Sequence, residues 1–317
     1  MKTLRRFYIS FFAVLFVLSG ALIASAQIRT PRPSAKASVM QTIGVTDVTI
    51  TYSRPGVKGR TIWGDPLPEQ AATKGEATLD DQNVRPKGAP IVPWGHAWRT
   101  GANEATQFVV TDDVWINGQK LPAGSYSLHT IPTHDEFTII FNSVANQWGS
   151  FGYDSAKDTL RVKVKPEWGE HSKEWLEYWI DPINDTSAQV NIRWEKVRVP
   201  FTVEVKDVQG LTMQKARAAV AAAKADDFVT PLQAANYALQ NKLSVEEAIG
   251  WLDRSIKAKE TIGNLGLRAR VLAEQGKTAE AIAAGERAIQ VGKDAKANPQ
   301  HIANMEKLVA EWKAKKT

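Results

Sequence analysis

Between Val39 and Val205 apolar side chains recur at every second position in short runs separated by turn residues, the spacing of strands that bury one face. Val48, Ile50 and Tyr52 alternate with Thr49, Thr51 and Ser53. Leu160, Val162 and Val164 alternate with Arg161, Lys163 and Lys165, and Phe201, Val203 and Val205 with Thr202, Glu204 and Lys206. Asn117-Gly118, between Val114-Trp115-Ile116 and Lys120-Leu121, predicts a type I′ hairpin, because both residues tolerate the positive φ such a turn demands. Pro122-Ala123-Gly124 opens a strand over Tyr126 to Ile131, and His134-Asp135 turns it into Phe137 to Phe141. About ten short strands without crossover helices predict an antiparallel β-sandwich or jelly-roll-like domain, a closed barrel being the alternative.

After Gly210 the period becomes helical and Ala, Lys, Glu and Leu dominate. Ala248-Ile249 through Ser255-Ile256 aligns with Ala281-Ile282 through Ala288-Ile289 at an offset of 33 residues, and Leu232 with Leu265 and Leu239 with Leu272 at the same offset. That register resembles tetratricopeptide-type helical hairpins. Helices over Leu211 to Asp227 and Ile302 to Lys315 flank the pair and serve as caps or as a bridge to the β-domain. The chain therefore reads as an α+β multi-domain protein, with a β-sandwich domain at residues 31–207 and an all-α domain at residues 211–317. Residues 65–90 carry four prolines and no period, and predict an exposed, inserted loop.

The N-terminus adds an address. Lys2, Arg5 and Arg6 precede an apolar run from Phe11 to Ala24, and Ala24-Ser25-Ala26 supplies a small-x-small cleavage site. Residues 1–26 are thus read as a signal peptide of an exported protein, periplasmic or secreted, with Gln27 as the new terminus and no span remaining after cleavage. Removing three cations and no acid lowers the net charge from +6 to +3, too little for a nucleic-acid footprint. With no cysteine, disulfides, thiol nucleophiles and thiolate metal sites are excluded together.

Among the polar clusters, Trp94-Gly-His96-Ala-Trp98-Arg99-Thr-Gly101-Ala-Asn103-Glu104 gathers an imidazole, a guanidinium, an amide and a carboxylate around a glycine turn, the inventory of a polar ligand site or a hydrolytic one. The same residues also suit a structural role, with Arg99 paired to Glu104, Asn103 on the turn backbone and the tryptophans in the core. Arg54-Pro-Gly-Val-Lys-Gly-Arg60 offers donors for a carboxylate or phosphate, or else an exposed turn with solvated charges. His129 shares a strand with Tyr126 and Leu128 but lies on the other face, so it points outward if the Tyr126 face is the core. His96 has no second histidine at a coordinating interval, and no metal or other cofactor is expected. No nucleophile elbow or S-x-x-K motif stands in a plausible setting in the β-domain, and a carboxylate pair joining Glu104 to Asp112 or Asp113 would be a guess. The chain has eleven tryptophans, and Trp94, Trp98, Trp115, Trp148, Trp175 and Trp179 are among those in the β-region, where flat rings suit either sugar faces or a core.

PRPSAKASVMQTIGVTDVTITYSRPGVKGRTIWG, WRTGANEAT, LPAGSYSLHTIP, FNSVANQWGSFGYD and IRWEKVRVPF, spread between Pro31 and Val205, carry a resemblance to the bacterial family catalogued as domain of unknown function 2911. The resemblance implies an exported protein with a single β-domain, at times followed by helical repeats, and it implies no activity and no catalytic residue. The family passes almost directly from the Trp63-Gly64 motif to the Val92-Pro93 motif, so the segment between them here reads as a peripheral insertion.

These readings lead to a non-catalytic binding module. The β-domain is expected to hold a polar ligand or envelope polymer through His96, Trp98, Arg99, Asn103, Glu104, Arg54 and Arg60, and the helices to meet a protein partner. The alternatives are a hydrolase of envelope or extracellular glycans, with Glu104 as general acid or base if burial beside Trp98 raises its pKa, and a structural envelope assembly protein.

Overall fold

A computed structural model of the chain describes residues 30–68 and 87–315. The leader read at residues 1–26, and residues 69–86 of the segment read as an inserted loop, lie outside the described residues.

Twelve strands precede the helices among the described residues. A six-stranded antiparallel sheet has the order β1 (Ala35–Ile43), β2 (Thr46–Arg54), β5 (Thr106–Val110), β8 (Gly124–Pro132), β9 (Phe137–Asn142), β10 (Asp158–Val164). A four-stranded antiparallel sheet has the order β11 (Glu167–Asn184), β12 (Ser187–Glu204), β6 (Val114–Ile116), β7 (Gln119–Leu121). Two short strands, β3 (Trp63–Gly64) and β4 (Val92–Pro93), pair in parallel. At the β6–β7 hairpin Asn117 and Gly118 have φ of 47° and 82°, as the Asn-Gly signal requires.

The alternation read from the sequence is what lets the two sheets share one core. Val48, Ile50, Phe108, Leu128 and Phe141 of the larger sheet face Val190, Trp194, Phe201 and Val203 of β12. Phe108 and Phe141 meet edge to face at 5.0 Å, and Phe141 meets Phe201 at 6.1 Å. Burying each such side chain contributes about 1.5–3 kcal/mol. At one end Trp98 stacks on Trp194 at 5.7 Å, with Trp63 edge-on to both. The gap beside these rings is about 10 Å³, at the lower limit for one water, so this part of the interior has no room for a ligand.

The sequence pattern hides the longest hairpin. β11 and β12 are 18 residues each, but their register shifts between Trp168 and Lys173, between Lys173 and Glu177 and between Pro182 and Asn184, and each bulge breaks the period of two. Glu195 sits at the bend with φ of 53°. Arg198 ties the limbs together, donating to Asn191 Oδ1, Gln189 Oε1 and Glu167 Oε2.

The helices are α1 (Val208–Ala222), α2 (Val229–Gln240), α3 (Val245–Ala258), α4 (Ile262–Glu274), α5 (Thr278–Asp294) and α6 (Pro299–Lys315). The starts of α2 and α4, and of α3 and α5, differ by 33 residues, the offset read from the sequence. Asp227 accepts the backbone N–H groups of Val229 and Thr230 at the head of α2, and Thr261 with Asn264 forms a capping box on α4, satisfying donors a helix start leaves open. α1 begins three residues before the expected 211, because Asp207 caps it through Gly210 N. It also carries the contact to the β-domain: Lys215 Nζ lies 2.6 Å from Asp112 Oδ2 and 2.7 Å from Val45 O. Among the described residues no helix is long and apolar enough to cross a membrane.

Candidate functional site

The WRTGANE segment leaves the six-stranded sheet and returns to it. Trp98 pairs with Thr130 of β8, and Thr106 N donates back to Arg99 O, so the chain loops out between two points on the same strand edge. Gly101 is required at the crossing, since a Cβ there would sit 2.8 Å from Thr106 Oγ1. The excursion is clamped by a short antiparallel ribbon against the β9–β10 connection: Ala105 N donates to Gln147 O and Gly149 N to Asn103 O, both at 3.0 Å, and Glu104 pairs with Trp148. Directly opposed residues of such a ribbon project on the same side. Glu104 and Trp148, 44 positions apart in sequence, thereby become neighbours.

Beneath them the outer face of the sheet carries a polar row that crosses all six strands. The register joins Ser38 to Thr51, Thr51 to Gln107, Gln107 to Ser127, Ser127 to Asn142 and Asn142 to Asp158. Over β1, β2 and β5 the row is open and forms the floor of a cleft of about 340 Å³, near the lower bound of ligand pockets. Thr51, Ser53 and Gln107 line it from below, and Lys36, Glu104, Asn146, Gln147 and Trp148 from the sides. Trp148 is 54% exposed, level with Ile183 and behind Met40 among the described large apolar residues, and the only one of them with an aromatic ring above half.

Glu104 is occupied within the molecule. Arg32, from the segment before β1, donates through Nη1 to both carboxylate oxygens at 2.7 and 2.9 Å, and Asn103 Nδ2 reaches Ser34 O at 3.3 Å. Desolvation pulls the Glu104 carboxyl upward, but the Arg32 hydrogen bond, a backbone bond and the charges of Arg32 and Lys36 outweigh it, so it titrates below its ordinary range. Arg32, not Arg99, is its ion-pair partner. Glu104 is also the one carboxylate among the described residues lining the cleft. Asp112 and Asp113 lie beyond the far end of β5, about 20 Å away at a strand's rise per residue, outside the range of a glycosidase pair.

Over β8, β9 and β10 the same face is closed. Ser127, His129, Ile140 and Asn142 are fully buried, and the Asn142 amide donates to Asp158 Oδ1 at 2.7 Å. Asp158 also receives Tyr153 Oη at 2.8 Å and Arg161 Nε at 2.7 Å. His129 does lie on the outer side of the sheet, but it does not reach solvent: the β9–β10 connection folds back and sets the Tyr153 ring 4.9 Å from the imidazole. The register that puts Trp98 beside Thr130 sets Arg99 beside His129, with Ile140 and Arg161 continuing the row.

The remaining expected residues separate. Trp98 is 5% exposed in the core, its Nε1 donating to Gly101 O, and His96 is buried at 6%. Neither reaches the cleft. Arg54 donates to Leu176 O, and Arg60 folds onto Val57 O and Gly56 O. The backbone donors of Val57 and Lys58 are taken by Glu174, so this turn is a dock for β11 and not an open cradle. Sequence reasoning missed Lys36, Gln107, Asn146 and Gln147, because each is an ordinary polar residue until register brings them together. Trp148 carried a signal, as a tryptophan followed by glycine: Gly149 has φ of 65° and lets Trp148 stand clear. Among the described residues no group of three potential ligands is placed to hold a metal ion.

No curated protein and no solved structure matches this chain. The family model described as Protein of unknown function (DUF2911) matches residues 34–203, which takes in the whole cleft. Because that match covers more than half of the chain, from β1 nearly to the end of β12, the protein belongs to the DUF2911 family.

Proposed function

We propose that this protein is an exported, non-catalytic binding module whose β-domain holds an uncharged polar ligand, a glycan first among them, in the cleft that Glu104 and Trp148 flank together. The observation that carries this reading is the pairing of a half-exposed indole with a floor of hydroxyls and amides. A sugar presents its C–H face to such a ring and its hydroxyl edge to groups such as Thr51, Ser53, Gln107, Asn146 and Gln147. The charges at the rim are mostly balanced, with Glu104 answered by Arg32.

Hydrolysis of the same glycans would need a second carboxylate within about 5–10 Å and a general acid with a raised pKa. Glu104 lacks the first among the described lining residues and is shifted the other way. A purely structural role would place the exposed apolar surface on the helices. Most of it, Met40, Val144, Trp148, Phe151, Trp168, Trp175 and Ile183, is on the β-domain instead, with Val229 and Val245 on the helices. The two hairpins α2–α3 and α4–α5 are proposed as tetratricopeptide-type repeats that offer a surface to a protein partner, and the two-sheet domain as a jelly-roll-like sandwich, on the strength of the 33-residue offset and the antiparallel topology.

The test is calorimetric titration of the full chain with chitotriose and cellotriose, following tryptophan fluorescence in parallel. Binding that weakens at least tenfold in both Trp148→Ala and Gln107→Ala is the expected result. Binding unchanged in both variants, or no binding to either sugar, overturns the reading.

A further inference from the structure

The cleft is not symmetric along the polar row. Toward β8 the row passes under the β9–β10 connection, where Ala145, Asn146, Gln147 and Trp148 form a wall and Ser127 and Asn142 are fully buried behind it. The wall is fixed. Gln147 Nε2 donates to Ser127 Oγ at 2.8 Å, Gln107 Nε2 donates to Asn146 Oδ1, and the ribbon to Asn103 and Ala105 holds the backbone. Toward β1 no segment among the described residues forms a wall. β1 is the edge strand of the sheet, Lys36 and Ser38 are exposed on it, and Ser38 Oγ continues the row 3.2 Å from Thr51 Oγ1. The open part of the row spans β5, β2 and β1, two strand spacings or about 10 Å.

We infer that the ligand is the end of a glycan chain: the terminal unit stops against the Asn146–Trp148 wall, and the following units run over Gln107, Thr51 and Ser38 and leave the sheet at β1. This rests on the binding reading above and narrows it from any polar ligand to a chain terminus. A groove closed at one end and open at the other accepts ends and rejects the middle of a chain. A cavity closed on both sides would favour a monomer, and a trough open on both sides would favour an internal stretch. Because the wall and the floor are preorganised by backbone pairing and side-chain bonds, little ordering opposes the binding of each unit that touches them, and affinity should stop rising once the chain passes β1.

The experiment titrates the full chain with chitooligosaccharides and cello-oligosaccharides of one to six units, and with the same hexamers attached to a bulky support through one end or the other. The expected result has three parts. Affinity rises about tenfold from one unit to three and then levels off. One mode of attachment abolishes binding while the other leaves it intact. Ser38→Trp, which places a ring in the exit over β1, removes the gain between one and three units and spares the single unit. Affinity that keeps climbing to six units, or binding that survives attachment through either end, overturns terminal recognition while the site itself stands. Equal affinity for one unit and six does the same in favour of a monomer pocket. No response to any length overturns the binding reading and this inference with it.

Discussion

The two halves of the six-stranded sheet's outer face begin from the same material and end as opposites. Both carry polar residues in register, Ser38, Thr51 and Gln107 on one half and Ser127, Asn142 and Asp158 on the other. Over the second half the β9–β10 connection lies down on the sheet, and Ser127, Asn142 and Asp158 each find hydrogen-bond partners within the protein. Over the first half the same connection stands up as a wall, and the row, bonded in part through Ser38 to Thr51 and Gln107 to Asn146, faces an open cleft. A polar row on a sheet is therefore not a site by composition. It becomes one where the covering segment stops.

The largest expected effect breaks the closed half. Asp158, 6% exposed at its side chain, receives Asn142, Tyr153 and Arg161. Asp158→Ala should cost about 2 kcal/mol, since it removes one of the two acceptors of the fully buried Asn142 amide, the other being Asp154 O, together with the carboxylate that faces the Arg161 guanidinium. Denaturant melts measure it, and a loss under about 1 kcal/mol would mean that the closed half is no better satisfied than the open one.

A smaller effect asks whether the same logic governs the domain junction. Burial pulls the Asp112 carboxyl up, but the bonds from Lys215, Thr46 and Thr111 and the Lys215 charge prevail, so its folded pKa lies below its ordinary value. A depressed carboxyl stabilises the folded state above its unfolded pKa and loses that stabilisation as pH falls through the folded pKa. Stability of the wild type should therefore fall more steeply below about pH 4 than that of Asp112→Asn, which should itself cost about 1.5 kcal/mol at neutral pH. Parallel pH–stability curves for the two proteins would contradict this.

Glu104→Gln and Arg32→Ala, on the open half, should each change stability by under about 1 kcal/mol, because the pair is 48% and 38% exposed and solvent screens it. The smallest effect belongs to Trp148→Ala, expected within about 0.5 kcal/mol of wild type in a thermal melt because over half of the residue is already in water. If Trp148→Ala instead melts as Asp158→Ala does, the ring is structural and the contrast between the halves disappears.

Much of the fold was legible along the chain because strands and helices advertise themselves by period. The alternations in β2, β10 and β12, the Asn117-Gly118 hairpin and the 33-residue offset of the helices are all found where their spacing put them. β11 was not legible, since its bulges shift the pattern by a residue at a time. Of the expected site residues, the structure keeps Glu104 in the cleft with Asn103 bracing its rim, moves Arg99 to the closed half, and sends His96, Trp98, Arg54 and Arg60 to packing and turn roles. Their residue types said that they could bond, and not to whom.

By itself the sequence determined the classes of structure, the order of the β and helical regions and the absence of thiol chemistry, because these follow from local period and composition. Only the tertiary structure decided that Glu104 meets Arg32 and Trp148, that His129 is roofed by Tyr153, and that one half of a polar row is covered while the other is open. Those outcomes depend on strand register and on where one connecting segment lies. Neither is encoded by any single stretch of chain, since register is set by the joint burial of both sheets' inner faces and the outer face follows from it.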